Sequence, residues 1–143
     1  MPPTNPQNYA PPLIAIDPGR DKCGLAIIDA KQGVIYQAVV PTDELPDMLV
    51  PLVKEKGVSR LVMGDRTGTG DLIRRLRAVG VETEICLVDE HRSTEEGRRR
   101  FFVDNPPTGW KRFLPRTLLF PDRAYDDYVA IVLAERYLDS AGQ

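Results

Sequence analysis

Three carboxylates in this chain stand at the ends of apolar runs. Leu13-Ile14-Ala15-Ile16 ends in Asp17 before a Pro18-Gly19 turn, Val88 is followed by Asp89 and Glu90, and Asp126 with Asp127 opens a stretch that is largely apolar through Leu133. A carboxylate at the edge of a core is costly unless it is paired, hydrogen-bonded or bound to a cation. Several acids converging with no basic residue fixed among them repel one another, and a hard divalent cation such as Mg2+ or Mn2+ accepts such oxygen donors. Taken singly, each acid has a plainer role. Asp17 can stabilise a turn, Glu90 can be surface charge, and Asp126 or Asp127 can complement the positive end of a helix dipole.

Whether the three meet depends on the elements that carry them. Residues 13–17 suit a buried strand, and the β-prone runs 23–29 and 34–40, separated by Ala30-Lys31-Gln32-Gly33, suit a hairpin. Helical spacing of Leu45, Met48, Leu49, Leu52 and Val53 follows within 42–56, where Pro46 and Pro51 predict a late start or a kink. Residues 60–64 form a fourth strand, 71–79 a short helix, and 82–88 a fifth strand. Ser93 with Glu96 has the spacing of a capping box opening a helix to about Val103. A long loop over 105–121 contains four prolines, and the last helix, 123–139, carries a broad apolar face.

The βββαβαβα succession predicts an α/β domain: a five-stranded mixed sheet of order 3-2-1-4-5 with helices on both faces. If the first, fourth and fifth strands are parallel neighbours, Asp17 and Glu90 lie two strand spacings apart, roughly 10 Å between backbones. Gly64, ending the strand between them, has no side chain to fill that space, and it equally suits a tight turn.

The segment Asp17-Pro18-Gly19-Arg20-Asp21-Lys22-Cys23-Gly24-Leu25-Ala26 resembles the opening motif of the YqgF family, relatives of RuvC described as Holliday-junction-resolvase-like or as nucleases of pre-16S ribosomal RNA processing. Val88-Asp89-Glu90-His91-Arg92-Ser93-Thr94 is similar to that family's Asp-Glu-Arg-x-Ser-Thr segment, and Asp126-Asp127-Tyr128-Val129-Ala130-Ile131-Val132-Leu133 to its last-helix motif. The resemblance runs from Leu13 to Leu138 and implies an RNase H-like sheet with Asp17, Glu90 and Asp126 as metal-binding, catalytic acids. Two divalent ions about 3.5–4 Å apart are then expected to serve phosphodiester hydrolysis in structured RNA or branched DNA. Asp127 competes for the third position, because one residue turns a helix by about 100°; Ala130 and Ala134 continue the face of Asp126 and favour it. The sequence departs from the family at His91, which replaces an arginine, and at Gly64-Asp65-Arg66-Thr67-Gly68-Thr69-Gly70, which replaces a Gly-Leu-Pro segment. A non-catalytic RNase H-like module binding nucleic acid or protein is the main alternative. An actin-like nucleotide-binding domain ranks below it, since its two-lobed cleft needs a longer chain.

With 143 residues, 42% hydrophobic and 28% charged, the chain suits one cytoplasmic domain over 13–139 behind a flexible leader, 1–12. No apolar run reaches the ~20 residues of a membrane span. Cys23 and Cys86 lie far apart in strand-like stretches, so buried free thiols are expected rather than a disulfide or zinc site. The net charge of −2 carries no global signal for nucleic acid, but residues 92–123 hold eight basic against four acidic side chains. Arg92, Lys111, Arg112 and Arg116 are the candidate nucleic-acid contacts, with Trp110 and Phe113 able either to stack on bases or to anchor the loop. The chain is expected to act as a monomer or homodimer.

Overall fold

The computed structural model describes residues 11–66, 68–115 and 118–141. The expected leader therefore lies almost wholly outside the described residues, as does Arg116. Five strands form one sheet: β1 (Leu13–Asp17), β2 (Lys22–Asp29), β3 (Gly33–Pro41), β4 (Arg60–Gly64) and β5 (Glu84–Val88), in the order β3-β2-β1-β4-β5. The first three strands are antiparallel neighbours, while β4 runs parallel to both β1 and β5. The helices are α1 (Leu45–Lys56), α2 (Thr69–Ala78), α3 (Ser93–Asp104) and α4 (Asp126–Ala141), with a short 3-10 helix at Gly109–Phe113.

Strand alternation divides the core in two. Ile14, Ile16, Leu25, Ile27, Leu61 and Met63 pack with Leu45 and Leu49 of α1 and Leu72 and Leu76 of α2. Leu13, Ala15, Ala26, Ile28 and Val62 face the other way, against Phe101 of α3 and Tyr128, Ile131 and Ala134 of α4. Because side chains two apart on a strand share a face, Asp17 belongs with Leu13 and Ala15, on the α4 side. Gly24 and Gly64 lie on that side for the same reason. This phase makes α4, and neither α1 nor α2, the helix able to bring an acid to Asp17.

Local signals account for most boundaries. The helix expected over 42–56 starts late, at Leu45, with Pro46 in its first turn, where a missing N–H costs nothing; Pro51 is accommodated inside it. Gly57, in the left-handed region at φ 62°, ends it.

One expectation fails. Ser93 begins α3 but does not cap it: the cap position is Arg92, at φ 59° the one non-glycine residue with positive φ among those described, and no side chain caps the helix. Ser93 Oγ is buried without a hydrogen-bond partner, and Glu96 pairs with Arg136 at 3.0 Å. Removing an unsatisfied buried hydroxyl is close to neutral. Ser93→Ala is therefore expected to change unfolding stability by less than about 0.5 kcal/mol, against the ~1 kcal/mol of a working cap, as measured by urea titration. The cysteines are free as expected, but Cys86 is only half-buried. Among the described residues, no helix is long and apolar enough to cross a membrane.

Candidate active site

Asp17 ends β1 in register with Gly24 of β2, and its side chain is 3% exposed. Gly24 matters for what it lacks. A Cβ there would stand 1.7 Å from the Asp126 carbonyl oxygen and 2.8 Å from the Asp127 nitrogen, so the first turn of α4 lies directly on the β2 backbone. That contact sets Asp126 beside Asp17, and both line a cavity of about 390 Å³ together with Lys22, Arg66, Thr94 and Tyr125. Asp127, one residue on, points elsewhere. Its carboxylate is buried toward β3, accepting from Gln37 Nε2 at 2.8 Å and from Arg123 at 3.3 and 3.4 Å.

Glu90 arrives from the third side. The Asp65 N–H donates to the Val88 carbonyl at 3.2 Å, the Ser93 N–H to the Glu90 carbonyl at 2.9 Å, and Arg136 to the Asp89 carbonyl at 2.8 Å, which together fold the segment after β5 back over β4. The Glu90 side chain then occupies the place of the missing Gly64 side chain: a Cβ there would be 1.5 Å from Glu90 Oε1. The space left by Gly64 is used, and a larger residue there would have to displace the Glu90 carboxylate.

A cation stands where the sequence suggested none. Arg66, on the loop after β4, donates from Nε to Glu90 Oε2 and lies 3.8 Å from Asp17 Oδ1. Lys22 Nζ is 3.9 Å from Asp126 Oδ2. The expectation of acids with no basic residue among them is thus corrected: Arg66 is paired with two of them. Compensation is incomplete, since Asp17 Oδ1 and Glu90 Oε1 are buried with no hydrogen-bond partner.

The electrostatics reflect this. Burial pushes the Asp17 carboxyl up to about 7 against the pull of Arg66, and Glu90 and Asp126 add to the rise. Burial likewise raises Glu90, with Arg66 opposing. Burial works against the Arg66 charge, but Asp17 and Glu90 outweigh it and hold the guanidinium above its ordinary value.

Among the described residues no three His, Cys, Asp or Glu side chains already close around one point. The donor chemistry nonetheless suits a hard cation: Asp17 and Asp126 line one cavity, Glu90 lies near enough to raise the Asp17 carboxyl, and Asp17 Oδ1 and Glu90 Oε1 are buried and unsatisfied. Arg66 is paired with two of these acids, Asp17 and Glu90.

The remaining sequence candidates are dispersed. Arg92 and His91 lie on the outer side, in a hollow with Leu87, Arg136 and Tyr137. Lys111 and Arg112 are exposed on the 3-10 helix, where Trp110 and Phe113 are 69% and 77% exposed and do not anchor the loop in the core. Sequence reasoning missed Arg66, Lys22, Gly24 and Thr94 as site residues. The departure at residues 64–70 was a visible signal for Arg66, but its target was not.

No protein-family model and no curated protein matches the chain. Among solved structures, RuvC of T. thermophilus in complex with a Holliday junction substrate superposes with a TM-score of 0.63 at 9% identity, over 93% of this chain and 96% of that one. A second Thermus thermophilus RuvC structure gives 0.57 at 10% identity, over 91% and 94%. The fold is RNase H-like. On this RNase H-like sheet the acid cavity sits at the C-terminal end of central strand β1, between the loop after β4 and the start of α4.

Proposed function

We propose that the chain is a YqgF-like, metal-dependent nuclease that hydrolyses phosphodiester bonds in structured nucleic acid, either precursor ribosomal RNA or branched DNA. The observation that supports this reading is the approach of Glu90 and Asp126 to the buried Asp17 at the C-terminal end of β1, with one oxygen of Asp17 and one of Glu90 buried and unsatisfied. That one solved RNase H-like relative is bound to a Holliday junction agrees with a branched substrate.

In this proposal Asp17, Glu90 and Asp126 hold one or two Mg2+ or Mn2+ ions, which when bound activate water and stabilise the leaving oxygen of the phosphodiester. The chain's own contribution is positional. Gly24 and Gly64 let two acids approach Asp17, and the Gln37–Asp127–Arg123 contacts fix the rotation of α4 that presents Asp126 to the cavity. Arg66 stays within the cavity and, released from the acids, carries the positive charge that a substrate phosphate needs.

The test is cleavage of a four-way DNA junction and of a structured precursor RNA with Mn2+ or Mg2+, against the same reactions in EDTA. Cleavage of either substrate that depends on the metal supports the proposal; salt-sensitive binding of both without cleavage sinks it. A specific observation favours that second outcome, a non-catalytic module: Arg66 already neutralises part of the acid cluster. The two readings part at Arg66→Ala. If the acids are a cation site, this variant binds Mn2+ about tenfold or more tightly than wild type in a calorimetric titration, because the competing guanidinium is gone. An unchanged, negligible Mn2+ affinity in both proteins identifies a structural ion-pair cluster.

A further inference from the structure

A cavity of about 710 Å³ lies between α3 and the loop that follows it. Three arginines, Arg98, Arg99 and Arg112, line it against one acid, Glu95, and its floor is apolar, with Phe102, Val103 and Leu119. Exposed aromatic side chains stand beside two of these arginines or on the same short helix. Trp110, Phe113 and Phe120 are each at least 69% exposed, Arg98 lies over the Phe120 ring at 5.7 Å, and Arg112 over the Phe113 ring at 4.9 Å.

Exposed aromatic faces interleaved with cations are poorly explained by packing, since each ring forgoes burial of its apolar surface. They match a single-stranded nucleic acid, whose bases stack on rings while arginines neutralise its phosphates. A paired duplex hides its base faces and offers only phosphates. An acidic peptide satisfies the arginines and leaves the rings unused.

Helix α3 connects this groove to the acids. Thr94, in its first turn, lines the acid cavity, and Phe102 lines the groove. Eight residues at about 1.5 Å each put them roughly 12 Å apart. A single strand crosses that distance in a few nucleotides.

We infer that the groove between α3 and the segment of Pro107, Arg112, Leu114 and Leu119 binds an unpaired strand of the substrate, placing its bases a few nucleotides from the bond presented to the acids. This rests on the nucleic-acid reading proposed above and adds to it the form of the substrate: a junction between paired and unpaired segments.

Trp110 is the sole tryptophan and stands on the same 3-10 helix as Arg112, which lines the groove, so its fluorescence is the probe. The full chain, in EDTA, is titrated with a twelve-residue oligouridine, a blunt hairpin duplex of equal charge, and poly-glutamate. The inference expects saturable quenching by oligouridine at a concentration at least tenfold below that needed with the duplex, and none with poly-glutamate. In the double variant Arg98→Ala, Arg112→Ala the oligouridine affinity falls at least tenfold, and its log–log salt slope drops by about 1.4, at ~0.7 per lost phosphate contact. Equal response to duplex and single strand, or quenching that the variant leaves unchanged, overturns the inference; tight poly-glutamate binding assigns the groove to an acidic protein partner instead. Because EDTA removes any cleavage, quenching without nuclease activity refutes only the nuclease reading, and metal-dependent cleavage without quenching refutes only the groove.

Discussion

Replacing Asp17 by Asn is expected to abolish metal-dependent cleavage, by at least about 10³-fold or ~4 kcal/mol of barrier, while leaving nucleic-acid binding intact or tighter. The amide keeps the size of the carboxylate and removes the charge that holds a cation. Lost repulsion of the substrate phosphate acts in favour of binding. Cleavage and electrophoretic mobility shift measured on the same preparation separate the two effects; equal cleavage by variant and wild type would show that a contaminating enzyme is being assayed.

The same variant has a second, opposite signature in stability. Asp17 titrates near 7 in the folded protein against 3.8 in the unfolded chain, because burial is only partly offset by Arg66. Between those values the folded state holds a proton that the unfolded state has released, so stability falls as pH rises through the window. The penalty is absent below about 3.8, and full above 7, where it is on the order of 4 kcal/mol at most. In EDTA, Asp17→Asn is therefore expected to unfold at a higher temperature than wild type at pH 8, with the difference shrinking towards pH 4. With saturating Mn2+ the wild type gains stability at pH 8 and the variant does not. A variant less stable than wild type at pH 8 without metal would mean that Asp17 is held by interactions stronger than those seen.

Gly24→Val carries the second large effect. Since the position of a Cβ lies 1.7 Å from the Asp126 carbonyl oxygen, even alanine collides with backbone, and no side-chain rotation relieves it. Helix α4 must lift from β2, and α4 carries the buried run Tyr128 to Ala134 that fills the core on that side of the sheet. Overpacking a core typically costs about 1–3 kcal/mol; displacing a whole helix is expected to exceed that and leave the protein largely unfolded at 37 °C. Gly70→Ala is the contrast. It sits in α2 with nothing within 4 Å of an added Cβ, so alanine is expected to stabilise by about 0.5–1 kcal/mol. Thermal unfolding of both variants checks the pair, and a folded, active Gly24→Val would show that α4 does not lie as close to β2 as described.

Much of the architecture follows from local chemistry. Alternating and continuous apolar runs mark the strands, Pro46 and Gly57 bound α1, and the βββαβαβα succession leads to the order 3-2-1-4-5 because hairpins pair antiparallel and helical crossovers return strands in parallel. The acids were visible as charges at the ends of apolar segments. Their surroundings were not. Which of Asp126 and Asp127 faces the cavity is a matter of about 100° of helix rotation, decided by where α4 settles on Gly24 and by Asp127 finding Gln37 on an edge strand 90 residues away in sequence. The place of Arg66 depends on the path of a loop whose ends are set by β4 and α2, and its partners come from β1 and the turn after β5. The capping box at Ser93 read plausibly as a sequence pattern and failed because the turn that carries Glu90 over Gly64 forces Arg92 into a left-handed conformation. Backbone propensity and hydrophobic periodicity act between near neighbours and are written in the sequence order. The meeting of charges from four separate elements, and the glycine contacts that permit it, arise only when the sheet and its helices close on one another.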